Sequence, residues 1–272
     1  ISRTLLVLKT VADRKEIGWR LTDLAAHCRL DNATTFRILA CLVDEGMVSQ
    51  RPADRRHIPG PTLYELALCV PGYDAFRAAL RPELLRLAAS LGLIAFLFLR
   101  SGDESVCIDR AGTPSVNPLT VVGTRRLMAE STGGIAMLLE LPVAVRQRLL
   151  LAMERRIHRS APWRTEAYRR MLRRSRRYGY GLNRGDIVKG LAGLAFPLLD
   201  GHGVSFASIG VMGPTARFAG KELTTVAERL RQLTRSLQQR HAAVIAALNH
   251  NARQAPGHTR AGSGSQDSCA LE

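Results

Sequence analysis

The first fifty residues place apolar positions at the spacing of short amphipathic helices. Residues at i, i+3, i+4 and i+7 share one helical face, an interval occupied here by Leu21, Leu24, Ala25 and Cys28. A polar corner at 29–31 ends that pattern, and either Asp31 or Asn32 is placed to cap a further helix. The predicted buried face of this further helix consists of Phe36, Ile38, Leu39, Leu42 and Val43. Together with an amphipathic opening segment, the pattern predicts three helices in quick succession.

Two short segments after the third helix predict a small antiparallel hairpin. They lie at 47–50 and 57–60 and flank the polar tip at 51–56. A helical pattern then returns between residues 63 and 91, interrupted near 70–74 and again at Pro82. We therefore predict a first domain at residues 1–70, closed by a helix, and a helical linker at residues 71–91.

The rest of the chain alternates strand and helix patterns, which favours an α+β domain with an antiparallel sheet at residues 92–248. Apolar runs around Ser-Gly-Asp and Gly-His-Gly turns predict two hairpins. Arginine-rich helices lie between them and end in the glycine-rich stretch "GYGLNRG", which is interpreted as a loop. One closing helix is expected at 221–248, and the polar tail at 249–272 is expected to be disordered.

Charge and cysteine content narrow the class of protein. The 272 residues include 39 Lys and Arg against 23 Asp and Glu, and this formal net charge of +16 favours a polyanionic partner such as nucleic acid. The five cysteines lack C-x-x-C spacing, so the sequence supports neither a disulfide framework nor a zinc ribbon. The longest apolar run, Leu93–Leu99, is too short to span a membrane. We expect a cytoplasmic protein with no membrane segment, no cofactor and no bound metal.

Sequence-specific DNA binding is the function that the N-terminal pattern favours. Two helices joined by a tight corner and followed by a basic hairpin fit a winged helix-turn-helix, whose second helix enters the major groove. Arg37 would pair with a guanine edge, while threonine hydroxyls would reach phosphates or bases. The hairpin tip would contact the flanking DNA as a wing. The predicted DNA-binding residues are Asn32, Thr34, Thr35, Arg37, Arg51, Arg55, Arg56 and His57.

Segments in both halves of the chain resemble the isocitrate-lyase-regulator (IclR) type of bacterial transcription regulators. They include "LTDLAAHCRLDNATTFRILACLVDEGMV" and "LYELAL" in the first half, and "STGGIAMLLELP", "RYGYGLNRGDIVKGLAGLAFPLLD" and "SIGVMGP" in the second. The resemblance implies a winged helix-turn-helix domain, a helical linker and a GAF-like effector-binding domain. It also implies homodimers or homotetramers on palindromic operators in double-stranded DNA. The family's hydroxyl pair and arginine match Thr34, Thr35 and Arg37, whereas His57 replaces its usual aromatic residue beyond the wing.

The same resemblance implies a pocket for a small organic acid in the second domain. The expected effector-binding residues are Ser131, Thr132, Gly134, Asn183, Asp186, Leu191, Gly193, Ser208, Gly210 and Met212. Asn183 stands where many relatives carry an acidic residue, and Gly210 and Met212 stand where some carry serines that hold a carboxylate. Such a pocket is roomier and less polar, so we expect a larger or aromatic acid.

Two other functions stay open at this point. Twelve arginines between residues 146 and 177 are accompanied only by Glu154 and Glu166, which would suit a non-specific polyanion-binding protein. An enzyme is the other alternative, because a sheet domain with a glycine-rich loop can host catalysis. However, "GYGLNRG" follows a helical pattern rather than a strand, and the sequence has no G-x-S-x-G, H-E-x-x-H or P-loop pattern. We therefore expect no enzymatic activity.

Overall fold

Three helices and a two-stranded ribbon form the N-terminal part of the protein. The computed structural model describes residues 1–14, 16–112 and 120–253. Its first elements are α1 (Ser2–Asp13), α2 (Leu21–Cys28), α3 (Asn32–Asp44), β1 (Val48–Gln50) and β2 (His57–Pro59). The two strands are antiparallel, with Ser49 opposite Ile58. The predicted helix-turn-helix and hairpin are therefore confirmed.

Helix α3 begins and ends at the residues that its sequence indicates. The backbone N–H of Thr34 donates to Asp31 Oδ1 at 2.7 Å, so Asp31 is the N-cap. At the other end Gly46 has φ +67, a left-handed conformation that costs glycine little. The corner before α3 is made by Arg29, which also has a left-handed φ of 55°. These local signals fix the direction of α3 relative to α2.

The predicted buried face of α3 is wrong at Phe36 and Val43, and it left out Thr35. Phe36 is 61% and Val43 36% exposed, whereas Thr35 is completely buried beside the buried Leu39 and Leu42. Thr35, Leu39 and Leu42 have the i, i+4, i+7 spacing of one stripe, and the next residue along the chain lies about 100° around the helix. Burial of Thr35 is tolerated because its hydroxyl donates to the Asp31 carbonyl oxygen at 2.9 Å.

Two helices follow the ribbon, and they differ in burial. The short helix α4 (Thr62–Leu68) has no buried residue, whereas α5 (Tyr73–Leu91) is buried along one side. The predicted interruption at Pro82 is wrong, because α5 runs through it. Both Pro82 and the residue one turn earlier, Ala78, are exposed. Water can therefore satisfy the carbonyl that loses its helical partner at a proline.

A six-stranded antiparallel sheet organises the rest of the protein, which confirms the predicted α+β class. Its order is β5-β4-β3-β8-β7-β6. The strands are β3 (Ile94–Ser101), β4 (Glu104–Ala111), β5 (Arg125–Leu127), β6 (Gly181–Arg184), β7 (Leu191–Leu199) and β8 (Ser205–Pro214). Both predicted hairpins, β3–β4 and β7–β8, are present.

Helices cover both faces of this sheet. One apolar core joins the sheet to α5, α9 (Gly220–Arg240) and α10 (Ala242–Arg253). The other joins it to α6 (Thr132–Leu139), α7 (Val143–Ser160) and α8 (Thr165–Tyr178). Helix α5, predicted as a linker, thus also packs on the sheet of the second domain. Within the described ranges, no helix is both long and apolar enough to cross a membrane.

Two predictions about the second half need correction. The stretch "GYGLNRG" is not simply a loop, because residues 181–184 form strand β6 beside β7. A Cβ at Gly181 would overlap the Thr132 carbonyl oxygen, so glycine lets this strand approach α6. The single closing helix is also wrong: α9 ends before His241, and α10 turns back onto α5 and continues to Arg253. Residues 249–253 of the expected tail are therefore helical, and 254–272 lie outside the described residues.

Candidate functional site

The outer side of α3 is the first candidate surface. Asn32, Phe36 and Arg37 are exposed, and Thr34 is half-buried at the margin of this side. Phe36 was not among the predicted DNA-binding residues, because its position was assigned to the core. Thr35, which was among them, is buried and bonded to the helix backbone, so its predicted contact with DNA is contradicted. The exposed side therefore combines one amide, one guanidinium and one aromatic ring.

The wing is fastened to the segment between α1 and α2 by two of its three arginines. Arg51 donates to the carbonyl oxygens of Glu16 and Ile17 at 2.9 and 2.6 Å, and its Nε lies 2.9 Å from Asp54 Oδ1. This hydrogen bond lowers the pKa of the Asp54 carboxyl. Arg56 also pairs with Asp54, at 3.3 Å. These two arginines thus position the wing.

The remaining wing arginine, Arg55, is exposed at the tip, with a left-handed φ of 57°. The side chain of His57, by contrast, is only 7% exposed, and its backbone N–H donates to the Trp19 carbonyl oxygen at 2.8 Å. Burial lowers the pKa of His57. Its predicted contact with DNA is wrong, because β2 turns this side chain into the domain. Arg55 is therefore the wing residue best placed to meet a partner.

A cavity of about 170 Å³ lies between the sheet and the segments that cover it. Phe96 and Phe98 of β3 and Met171 of α8 supply apolar surface. Seven of the ten predicted effector-binding residues line this cavity: Ser131, Thr132, Asn183, Leu191, Gly193, Gly210 and Met212. The Oγ atoms of Ser105 and Ser131 lie 2.9 Å apart in its wall. The cavity is therefore largely apolar, with a few polar groups that can orient a ligand.

The other three predicted residues, Gly134, Asp186 and Ser208, do not line the cavity. Gly134 packs against the backbone of Met128, where a Cβ would overlap the carbonyl. Asp186 pairs with Arg174, which lowers the pKa of its carboxyl against the opposing effect of burial. Ser208 shares a strand face with Gly210 and Met212 but is completely buried, because α6 passes over it. Strand alternation alone does not reveal this cover.

Several cavity residues were missed by sequence reasoning. Phe96 and Phe98 are two residues apart on β3 and therefore lie on the same face of the sheet. This spacing could have identified them, but every residue around them is also apolar, so no alternation was visible. Arg126, Glu130 and Arg164 bring charge to a cavity that was expected to be weakly polar. Arg164 belongs to the arginine-rich stretch, and nothing in its spacing distinguishes it from the arginines on the surface. The others missed are Ser105, Thr120, Thr124, Met171, Ile187, Val188 and Val211.

Many arginines of α7 and α8 are matched by carboxylates of the same domain. The ion pairs join Arg156 to Asp103 and Glu104, Arg169 to Glu154 and Glu166, Arg173 to Glu166, and both Arg170 and Arg174 to Asp186. The hydrogen bond from Arg173 lowers the pKa of the Glu166 carboxyl. Most of these pairs are exposed and contribute little to stability, whereas the side chain of Asp186 is buried. All of them reduce the local excess of positive charge. Among the described residues, no cluster of His, Cys, Asp and Glu is arranged to hold a metal ion.

Two family models match the chain in the order of its two domains. Residues 1–52 match the IclR helix-turn-helix domain, and residues 74–239 match the C-terminal domain of bacterial IclR transcriptional regulators. The chain is 28% identical over 207 residues to a probable transcriptional regulator, SauR, from Cupriavidus necator, covering 75% of this chain and 81% of that protein. It is 25% identical to the regulator BhcR from Paracoccus denitrificans, covering 87% and 85%.

Solved structures show the same fold. An IclR-family regulator from Brucella abortus has a TM-score of 0.71 at 20% identity, covering 88% of this chain and 90% of that one. An IclR homologue from Microbacterium hydrocarbonoxydans, solved with 4-hydroxybenzoate, has a TM-score of 0.61 at 21% identity, covering 91% and 99%. Since the C-terminal family model alone spans more than half of the residues, this chain belongs to the IclR family of bacterial transcriptional regulators.

Proposed function

We propose that this regulator binds a palindromic DNA operator through α3 and Arg55, and that a small aromatic acid in the cavity changes this binding. The observation that most strongly supports this proposal is the exposed side of α3, where Asn32, Phe36 and Arg37 lie near the capped N-terminus of the helix. DNA as the partner also makes the cytoplasm the place of action, and no catalytic step is part of the proposal.

Each exposed residue of α3 has a chemistry suited to a base edge. The guanidinium of Arg37 can donate two hydrogen bonds to O6 and N7 of guanine, which discriminates against other bases by about 1–3 kcal/mol. The amide of Asn32 suits adenine or a phosphate, and the ring of Phe36 suits a thymine methyl group. Arg55 at the wing tip would contact the backbone, adding affinity that falls as salt rises.

A second copy of the chain would account for exposed apolar side chains outside the recognition surface. Both α1 and α4 carry them, and these residues are Leu5, Leu6, Tyr64, Leu66 and Leu68. Exposed apolar patches on the surface of a protein are typical of an interface between subunits. In a symmetric dimer the two α3 helices would lie about 34 Å apart, one turn of DNA, and would read the two halves of a palindrome.

The cavity supports a ligand with a single ring. Its volume of about 170 Å³ is similar to the roughly 150 Å³ cavity that holds benzene in an engineered protein core. Phe96 and Phe98 offer flat apolar surface, and Arg126 and Arg164 offer positive charge. The Microbacterium homologue was solved with 4-hydroxybenzoate, which has the same combination of ring and carboxylate.

Selection of DNA from a random library with the purified protein tests the proposal. We expect a palindromic sequence to be enriched, and we expect Arg37→Ala to weaken its binding far more than binding to scrambled DNA. Benzoate and ring-substituted benzoates are then screened for a change in that binding. Failure to enrich any sequence, together with loss of binding in an Arg173→Ala, Arg174→Ala double variant, would favour the polyanion-binding alternative.

A further inference from the structure

Arg164 occupies an unusual position between the two arginine-rich helices. It ends the short turn Pro162–Arg164 that joins α7 to α8, and it lines the cavity together with Phe96 and Phe98. Its neighbours in sequence, such as Arg169 and Arg173, form ion pairs with glutamates outside the cavity. Arg164 is therefore the member of the arginine-rich stretch whose charge is directed at the candidate ligand site.

The Nε atom of Arg164 is buried and has no hydrogen-bond acceptor among the described residues. Buried polar groups in proteins are mostly paired, and an unpaired one is explained by an ordered water, an ion, strain or a ligand; for Arg164 the adjoining cavity favours a ligand. No ion pair joins Arg164 to Glu130, the carboxylate that lines the same cavity, within the described part of the chain. Both side chains lie near the Tyr168 hydroxyl and act on its pKa, which burial and Glu130 raise and Arg164 lowers. A donor in this position is suited to an acceptor that arrives from outside the protein.

The surroundings of Arg164 indicate what that acceptor is. A guanidinium offers two parallel N–H groups that match the two oxygens of a carboxylate. On one side, its central carbon lies 4.6 Å from the centroid of the Trp163 ring, within the range of a cation–π contact. The apolar wall formed by Phe96 and Phe98 leaves room for a ring. The site thus combines the unpaired Nε of Arg164 with an apolar wall, and Arg126 adds further positive charge to the lining.

We propose that Arg164 holds the carboxylate of an aromatic monocarboxylate through Nε and one terminal nitrogen, while the ring of the ligand packs against Phe96 and Phe98. We rely here on the proposed function, in which the cavity is the effector site. Glu130 in the cavity wall repels a second carboxylate, so dicarboxylates bind more weakly. It accepts a hydrogen bond instead, so a hydroxyl or amino substituent on the ring is favoured.

Benzoate and its neutral isostere benzamide are the probes that test the role of Arg164. Both are titrated into the full-length protein by calorimetry, with Trp163 emission as a second readout because its ring contacts Arg164. We expect benzoate to bind at least about tenfold more tightly than benzamide, the range of a charged hydrogen bond. Benzene-1,4-dicarboxylate is expected to bind more weakly than benzoate.

Three variants separate the role of Arg164 from a general effect of charge. Arg164→Gln is expected to lose benzoate affinity by about 10- to 100-fold and to keep its affinity for benzamide. Arg164→Lys keeps the positive charge but not the two parallel N–H groups of the guanidinium, so its benzoate affinity is expected to lie between those of Arg164→Gln and the wild type. Arg159→Gln removes an exposed arginine just before the same turn and is expected to bind benzoate like the wild type. If Arg164→Gln does not fold, the Arg164→Lys variant and the comparison of benzoate with benzamide still test whether Arg164 binds the carboxylate.

The outcomes distinguish this role from the proposed function as a whole. Equal benzoate affinity in wild type and Arg164→Gln, with other acids still changing operator binding, would overturn the role of Arg164 and leave the regulator proposal standing. If no acid binds the wild-type protein, the role of Arg164 and the effector part of the proposed function are both overturned, while operator binding through α3 is decided by the selection of DNA. Ligand-free Arg164→Gln should bind the selected operator as the wild type does, because Arg164 belongs to the second domain.

Discussion

Thr35 and Arg37 lie two residues apart on α3, yet the structure gives them opposite roles. Thr35 is completely buried, and its hydroxyl donates to the Asp31 carbonyl oxygen at 2.9 Å. Arg37 is exposed. We therefore expect Thr35→Val to change stability and not DNA affinity, and Arg37→Ala to change DNA affinity and not stability. Both residues were predicted from sequence to contact DNA, so the pair of variants tests the structure directly.

The expected magnitudes follow from the contacts. Valine has the shape of threonine, so Thr35→Val leaves no cavity and removes one hydrogen bond, worth about 0.5–1.5 kcal/mol. The Asp31 carbonyl keeps a partner, because it also accepts the Thr35 backbone N–H at 3.0 Å. Loss of a bidentate Arg37–guanine contact would cost about 1–3 kcal/mol, or roughly 5- to 150-fold in affinity.

Urea unfolding followed by tryptophan emission measures the first effect, and fluorescence anisotropy on the selected operator measures the second. Trp19 lies in the N-terminal core and reports on that domain. Thr35→Ser, which keeps the hydroxyl, is the matched control for the hydrogen bond. If Thr35→Val lost operator affinity tenfold while its unfolding curve stayed that of the wild type, the assignment of Thr35 to the core would be refuted.

Three further predictions concern other parts of the molecule. Gly181→Ala should destabilise the second domain by about 1–3 kcal/mol or more, because its Cβ would overlap the Thr132 carbonyl; Gly201→Ala, with open space around its Cα, should be nearly neutral in the same urea titration. Burial lowers the pKa of His57 below its unfolded value of 6.5, so its contribution to stability is complete above pH 6.5 and is lost as the pH falls. In His57→Gln the free energy of unfolding should therefore depend less on pH in the acid range. Leu66→Asp, at an exposed site, should shift the protein toward monomers in light scattering without lowering its helical content.

Local signals in the sequence were sufficient to predict the helices and strands that end in a capping residue or a tight turn. The start of α3 was predicted to within one residue, at Asp31 or Asn32, and the Ser-Gly-Asp and Gly-His-Gly turns identified two hairpins, because caps and tight turns depend on neighbouring residues only. It was harder to predict which side of α3 faces the core of the domain. Phe36 and Thr35 are adjacent, and hydrophobicity favours the phenylalanine as the buried member, yet the packing of the domain selected the threonine.

The cavity shows a second limit of sequence reasoning. Seven predicted residues line it at positions that the resemblance identified: five lie on strands, and Ser131 and Thr132 lie at the start of α6. Arg164 was missed because the direction of a side chain at a turn depends on the angle between α7 and α8, which no spacing encodes. Ser208 was wrongly included because its cover by α6 comes from a segment some seventy residues away in the sequence. Tertiary contacts, not local pattern, decide such cases.

The return of α10 onto α5 has a practical consequence for work with this protein. Leu248 of α10 lies against Gly72, where α5 begins, and the pair of helices shares a core that includes Phe76 and Ile245. This contact lies where the chain passes from one domain to the other, beyond the residues that the family model matches. A shortened version ending at Arg240 would uncover part of this shared core. Expression plasmids should therefore retain α10, and purification handles are better placed well after it.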